Sequence, residues 1–387
     1  MIDEYLNIDK EFCSGCGACQ TICPTKAITF DKTLNGLNYP VINSSICIKC
    51  NLCYKVCSLK ENINNTEIPR INELKSDAYY GYSLDSSLRF DSASGGIVSQ
   101  LTKDALKNKI VDTVVCASQN ENNEILLNFI KSEDVDRLPK GSIYRQVILL
   151  RDFIQNIEKK NSEKILVIGL PCHIAAVKAL HEISPRIKRK ELYTIALFCK
   201  QTKDERFSNF IRYYLKAPNR KDRINYRGGG WPGITSIGNK STVCTDFRLG
   251  FMWGTFCYTP DYCLKCRDAL GVNGDISVGD AWLKKYMSSD DKGSSLFLVN
   301  SEKGSELFKN AKNCIYFNKE LIGNVIQSQN LKVLKEKEQI SDRFQRKKKI
   351  KGRVFWVRVI SEMIVTSKIT VFIPPIFLKA FYRIFLK

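Results

Sequence analysis

Eight cysteines near the N-terminus fall into two runs of the same spacing. Cys13, Cys16, Cys19 and Cys23 recur, shifted by 34 residues, as Cys47, Cys50, Cys53 and Cys57. Each run reads C-x2-C-x2-C-x3-C, and Pro24 follows the first. Three thiolates so spaced can wrap one face of a cubane iron–sulfur cluster, while the fourth cysteine of the run reaches the neighbouring cluster. The pattern therefore predicts two [4Fe–4S] clusters, one on Cys13, Cys16, Cys19 and Cys57, the other on Cys47, Cys50, Cys53 and Cys23. Structural zinc also uses paired cysteines, but it takes four ligands per site and has no use for the third cysteine of each triplet. Gly15 and Gly17 keep the first loop small, so that backbone N–H groups can approach cluster sulfur and tune its potential. The second run ends in Cys57-Ser58 without the proline, which removes no ligand. Two adjacent clusters form a one-electron wire that performs no substrate chemistry itself.

Such a wire needs something at its far end, and three later features suggest it. Ser92-Ala93-Ser94-Gly95-Gly96 opens a helical stretch. Small residues with free N–H groups at a helix N-terminus suit a phosphate, and they equally suit an ordinary N-cap. Gly141, Ser142, Ile143, Tyr144, Arg145 and Gln146 place a phenol, a guanidinium and an amide where they could contact a planar ring or its phosphates. The plainer meaning is a turn entering a helix. Cys172 sits in GLPCH at a strand-to-helix turn, Cys199 ends the run LYTIALFC, and Cys263 and Cys266 form a C-x2-C. Four cysteines on turns and strand ends could close a third cluster or a zinc site, or be small buried hydrophobes. Cys116, Cys244, Cys257 and Cys314 are isolated and read as core cysteines, with Cys257 near enough to Cys263 to compete as a ligand.

These residues must be held by elements, and the pattern of the chain supplies them. AITF and LNYPVI read as strands about the turn Asn35-Gly36. From residue 77, β-rich runs such as DAYYGYSL, IVDTVVCAS, KILVIGL, LYTIALFC and SSLFLV alternate with helical stretches such as PCHIAAVKALHEI and ERFSNFIRYYL. The expected fold class is α+β: a bacterial-type 2[4Fe–4S] ferredoxin domain (1–62), a linker (63–76), a larger mixed α/β domain (77–330), to which the resemblance given below assigns flavin binding, and a basic C-terminal tail (331–387). The chain has 387 residues, 44% of them hydrophobic, enough for a sizeable core. Two histidines are too few for a His-built metal centre, and no Ser/His/Asp or paired-carboxylate arrangement points to hydrolysis. His173 and His181 read as structural. Sixteen cysteines behind a polar start, MIDEYLNIDKEF, imply a reducing, cytoplasmic setting.

Taken in order, the ferredoxin motif followed by SASGG, GSIYRQ, GLPCHIAAV, FCK, YRGGGWPG, CLKC and DISVGDAW resembles the beta subunit of coenzyme F-420-reducing hydrogenases and dehydrogenases. That family is related to other deazaflavin-dependent dehydrogenases and to the reductase of 7-hydroxymethyl chlorophyll. The resemblance spans roughly residues 1–310. It is specific because seven short motifs keep their order. It implies an iron–sulfur flavoprotein oxidoreductase with FAD between the clusters and a hydride-carrying small molecule, deazaflavin or other. It assigns Ser94, Gly95 and Gly96 and the turn Gly141–Gln146 to FAD. It gives Cys172, Cys199, Cys263 and Cys266 to a third [4Fe–4S] cluster, and places Tyr226–Gly233, Asp275 and Asp280 near the flavin. Ile143 departs from the lysine common in the family, which puts one flavin or phosphate contact in doubt, and Arg145 could stand in for it. The alternative is a non-catalytic electron-transfer subunit serving a partner enzyme.

The charge of +20 is uneven: residues 331–387 hold 15 Lys/Arg against 4 Asp/Glu. Lys347, Lys348 and Lys349 precede an aromatic and β-branched stretch with spaced cations. That composition suits an anionic membrane surface, peripheral rather than spanning, and its plainer meaning is a packed C-terminal helix after a solvated basic loop. No nucleic-acid module accompanies the charge, so no nucleic-acid partner is expected. A redox partner protein is.

Overall fold

Alternation with period two along the central strands explains how the large domain is layered. In β6 (Lys164–Gly169), Ile165 and Val167 enter one hydrophobic core while Leu166 enters another, and in β4 (Thr113–Gln119), Val115 and Val114 divide in the same way. Both faces of the sheet are therefore covered, as a parallel centre requires. The computed structural model describes residues 13–58, 75–288, 290–332, 334 and 337. The linker residues 63–74 and the stretch from 338 onward, with the expected membrane-surface segment, lie outside the described residues.

The cysteine runs flank a hairpin of β1 (Ile28–Lys32) and β2 (Asn38–Ile42), antiparallel about the turn at Gly36, which takes φ +78°. The large sheet comprises eight strands: β3 (Asp77–Ser83), β4, β5 (Ile125–Ile130), β6, β7 (Glu191–Leu197), β10 (Ile276–Asp280), β11 (Ser295–Val299) and β12 (Ile315–Lys319). Their order is β12-β3-β11-β10-β7-β6-β4-β5. β10, β7, β6 and β4 run parallel, and antiparallel strands extend the sheet on both sides. A separate ribbon pairs β8 (Ile234–Ile237) with β9 (Lys240–Val243). The mixed α/β character matches the sequence reading, although β5, β8, β9, β10 and β12 lie in stretches it did not single out as strands.

One face of the sheet is covered by the helices Phe153–Lys159 and Pro171–Ile183, the other by Ile97–Lys107 and Glu302–Ala311. The cysteine module joins the first face directly: Ala18, Ile22 and Val56, all at most 9% exposed, pack in the same core as Phe153, Ile174 and Leu180. Leu331 and Leu334, in the segment read as a tail, pack in a core with Leu296, Leu298 and Val325, while Lys332 is exposed. Lys337 is buried as well. Among the described residues no helix is long and apolar enough to cross a membrane.

Candidate metal centres and cofactor site

Ligands in parallel sheets gather at the carboxyl ends of the strands, and the chemistry-bearing residues of the large domain lie there. β6 leads through Leu170 and Pro171 to Cys172, β7 leads to Cys199, and β10 ends at Asp280 with Trp282 just beyond. Pro171 and Cys172 open a helix of 13 residues. Proline suits that first position, and the positive end of the helix dipole favours negative charge at Cys172. His173 fixes this turn: the Leu170 N–H donates to Nδ1 at 3.2 Å, and Nε2 donates to the Val147 carbonyl at 3.1 Å. His181 is structural too, its Nε2 donating to the Lys190 carbonyl.

Cys172, Cys199, Cys263 and Cys266 line one cavity with Ser14, Lys200, Thr202, Tyr262 and Asp268. Cys23, Cys47, Cys50 and Cys53 line a second. Cys13, Cys16, Cys19 and Cys57 form a third group, recognisable because each of Cys13, Cys16 and Cys19 is pushed up electrostatically by Cys57. Cys57 thus lies near the first run, and Cys23 lines the cavity of the second. Burial, reinforced by neighbouring thiols, raises Cys13 to about 12 and Cys16 and Cys263 to about 11. Cys19 and Cys172 rise well above the ordinary thiol value for the same reason, burial first. Thiols packed so closely cannot all ionise unless a cationic metal core compensates them. Among the described residues no three His, Cys, Asp or Glu side chains are arranged to hold a single metal ion. Each set contains a sulfur that accepts a backbone N–H at 3.3 Å: Gly15 to Cys13, Ala27 to Cys23 and Thr202 to Cys263. Such bonds tune iron–sulfur potentials. Four thiols in each set, one of them accepting a backbone N–H, are a donor set that fits a [4Fe–4S] cluster.

The three sets are contiguous. Cys57 packs against Tyr262 and Cys263, and Cys16 acts electrostatically on Cys172. Cys19 feels Cys53, which joins the first set to the second. The second set reaches the surface at the exposed Cys50. Cys257, the competing ligand in the sequence reading, lies instead in a core with Phe251 and Met252, where Thr255 Oγ1 donates to its sulfur at 3.0 Å. Cys116 is buried in the core, but Cys314 is exposed and Cys244 is half-buried, so the core reading fails for these two.

A second constellation adjoins the third cysteine set. Arg227 pairs with Asp280 at 2.5 Å and sits over the rings of Trp231 and Trp282, whose centroids are 4.7 Å apart. Trp282 Nε1 donates to the same carboxylate at 3.0 Å. The Nε of Arg227 is buried without a hydrogen-bond partner among the described residues, an orphan that a ligand could satisfy. Tyr144 lies edge-on to Tyr226 and Trp253, with Arg227 and Ser142 beside its hydroxyl, and burial raises its pKa. Gly228, Gly229, Gly230 and Gly233 all have positive φ. At Gly230 a Cβ would meet the Asp291 carbonyl at 2.8 Å, so only glycine fits there. Lys200 is lowered by burial first and feels both Asp280 and Cys199, so the two constellations are neighbours.

The sequence-assigned flavin residues divide. Gly141 abuts the Arg227 carbonyl, and the loop's other side touches Phe90 and Asp91, just before Ser94. Ser94, Gly95 and Gly96, however, lean on β11: Ser94 Oγ donates to the Ser294 carbonyl at 2.6 Å, and the Gly95 N–H donates to Ser295 Oγ at 3.0 Å. Arg145 donates to the Asn123 carbonyl and pairs with Glu205. Gln146 binds Asn38 and the Cys13 carbonyl, tying the cysteine module to the large domain. Asp275 lies at the opposite end of β10 from Asp280, about 16 Å away for a strand of this length. It accepts from Thr194 and Ser301, a structural role. Sequence reasoning did not single out Arg227, Trp231 or Trp282 individually, nor Lys337, whose ammonium reaches the third set.

Residues 12–60 match the 4Fe-4S dicluster domain. Residues 78–150 and 162–323 match, respectively, the N-terminal and C-terminal models of the coenzyme F420 hydrogenase/dehydrogenase beta subunit. One of the subunits of the F(420)H(2) dehydrogenase of Methanosarcina mazei is 24% identical over 338 residues, covering 83% of this chain and 90% of that protein. The coenzyme F420-dependent sulfite reductase of Methanocaldococcus jannaschii is 24% identical over 325 residues, 79% of this chain but 46% of the longer relative. Among solved structures, a chain of the F420-reducing [NiFe] hydrogenase complex from Methanosarcina barkeri shares the fold with a TM-score of 0.55 at 18% identity, over 71% of this chain and 93% of that one.

Proposed function

The chain belongs to the family of coenzyme F420 hydrogenase/dehydrogenase beta subunits and carries an iron–sulfur dicluster domain, and from this we propose that it exchanges electrons between a hydride carrier at FAD and a redox partner protein. The observation that carries the reading is the contiguous run of three four-cysteine sets, from the surface at Cys50 inward to the neighbourhood of Arg227 and Asp280. Cys47, Cys50, Cys53 and Cys23 would hold the outer cluster, and Cys13, Cys16, Cys19 and Cys57 the middle one. Cys172, Cys199, Cys263 and Cys266 would hold the inner. FAD, when bound, supplies the exchange between two-electron hydride chemistry and one-electron transfer.

The protein's own residues do the positioning. Arg227 offers its unpartnered Nε to an anionic or carbonyl oxygen, and Asp280 and the Trp282 ring fix its plane. Trp231 and Trp282 pack on each other beneath Arg227, and the glycine loop admits close backbone approach. Gly141, Ser142 and Tyr144 would line this site, with Ser94, Gly95 and Gly96 forming its supporting wall. Gln146 would serve instead in docking the cysteine module, and Arg145 in holding Glu205 and the Asn123 carbonyl. The relatives' names make an F420-type deazaflavin the first hydride carrier to test.

The test is anaerobic purification with iron, sulfide and flavin measured on one sample. About twelve irons and one FAD per chain are expected from three four-iron clusters. Replacing Cys199 with alanine should lower the count to about eight. Replacing Arg227 with methionine should remove most of the bound flavin with the iron unchanged. A second reading, an electron-transfer subunit without flavin, is favoured by the engaged Gly95 N–H and Gln146 amide. Clusters without extractable flavin would select it.

A further inference from the structure

Lys337 lies in a stretch whose composition reads as a basic tail, yet it is 1% exposed. Its ammonium donates to the Lys200 carbonyl at 2.6 Å and the Cys266 carbonyl at 2.9 Å. Lys200 directly follows Cys199, and Cys266 is itself a member of the third cysteine set. One buried cation thus bridges two of the segments that bear this set. Carbonyl partners satisfy its hydrogen bonds but do not neutralise it. The nearby acid, Asp268, accepts from the Gly271 N–H at 2.6 Å. Placing an ammonium out of water costs several kcal/mol unless something opposite in charge compensates it. A [4Fe–4S] cluster on these four thiolates would supply that compensation, since such a cluster is anionic and becomes more so on reduction.

We propose that Lys337 sets the reduction potential of the cluster held by Cys172, Cys199, Cys263 and Cys266, favouring its reduced state. Net charge and hydrogen bonding around a cluster are among the levers that fix its potential, and in a low-dielectric surrounding a nearby charge acts strongly. The consequence is directional: the inner cluster, beside the Arg227 and Asp280 constellation, becomes the better electron acceptor. The inference rests on the proposed third cluster, and the experiment separates the two claims.

The experiment is an anaerobic redox titration followed by electron paramagnetic resonance on the full chain, with iron counted on each sample. The inner cluster's signal is the one absent from Cys199→Ala. Lys337→Gln keeps hydrogen-bond donors without the charge, and Lys337→Arg keeps the charge. In K337Q the inner cluster should be reduced about ten-fold less at a given potential, a fall of about 59 mV for one electron. The other two signals should stay in place, and K337R should remain near the wild type. An unchanged inner potential in K337Q overturns the assignment. If K337Q loses the inner cluster while K337R keeps it, the charge is needed to hold the cluster as well, which supports the assignment. If both lose it, Lys337 acts only through its shape, and the electrostatic role is overturned. Eight irons and two signals in the wild type would instead remove the third cluster itself.

Discussion

Gln146 shows how one amide joins two parts of the chain. Its Oε1 accepts from the Asn38 backbone N–H and from Asn38 Nδ2, and its Nε2 donates to the carbonyls of Cys13 and Asn38. Substituting alanine leaves these groups unmatched at a partly buried contact, which costs about 1–3 kcal/mol. Q146A should therefore melt its N-terminal cluster absorbance at lower temperature while keeping wild-type flavin content. Flavin loss without that melting shift would return Gln146 to the flavin site. Gly17 makes the same junction through backbone. It has φ +94°, and a Cβ there would meet Arg151 N and Ile148 Cγ2 at 2.8 Å. Gly17→Ala combines left-handed strain with a clash, so a loss of about 2 kcal/mol or more is expected in denaturant titration.

At the scale of elements, Glu320 ties the end of β12 to two helices. Its carboxylate accepts from Lys285 at 2.7 Å, from the Tyr286 hydroxyl, from Asn324 at 2.7 Å and from the Leu321 N–H at 2.8 Å. Burial alone would raise its pKa, but these donors outweigh burial and hold it down at about 2, against an ordinary 4.5. A depressed carboxylate adds stability above the unfolded value and loses it as pH falls toward the folded value. Glu320→Gln should thus cost about 1–3 kcal/mol at neutral pH. The gap to wild type should narrow as pH drops below about 4.5, read from denaturation midpoints across that range. β10 carries a different lesson, because its two ends do different work: Asp280 faces the Arg227 constellation, whereas Asp275 holds Thr194 and Ser301 together.

At the scale of the whole molecule, the cysteine module is built into the large domain rather than tethered to it, since Ala18, Ile22 and Val56 share a core with Phe153 and Ile174. The third cysteine set depends on that arrangement, because Ser14 lines its cavity and Cys57 packs on Cys263. It also depends on the segment after residue 330. A chain ending at 330 loses Leu331, Leu334 and Lys337 from the interior, and should fall from about twelve irons to about eight. A chain ending at 340 should keep its full iron. Equal iron in both would show that the third set stands without this segment.

The cysteine spacing determined the ferredoxin motif without help from tertiary structure. Cluster ligation is written in local separations, and the exchanged fourth cysteine follows from the motif's own geometry. The strands β3, β4, β6, β7 and β11 were legible because apolar runs bounded by polar turns need no distant partner to be recognised. What the sequence could not decide were meetings between residues far apart in the chain. Cys172, Cys199, Cys263 and Cys266 share a cavity because β6 and β7 are parallel neighbours that end on the same edge. Arg227 meets Asp280 because the glycine loop lies against that edge as well. Lys337 looked like one more cation in a basic stretch, and only the folding of that stretch onto Lys200 and Cys266 places its charge inside. Composition averages over a segment, whereas burial is decided residue by residue by what the rest of the chain brings near.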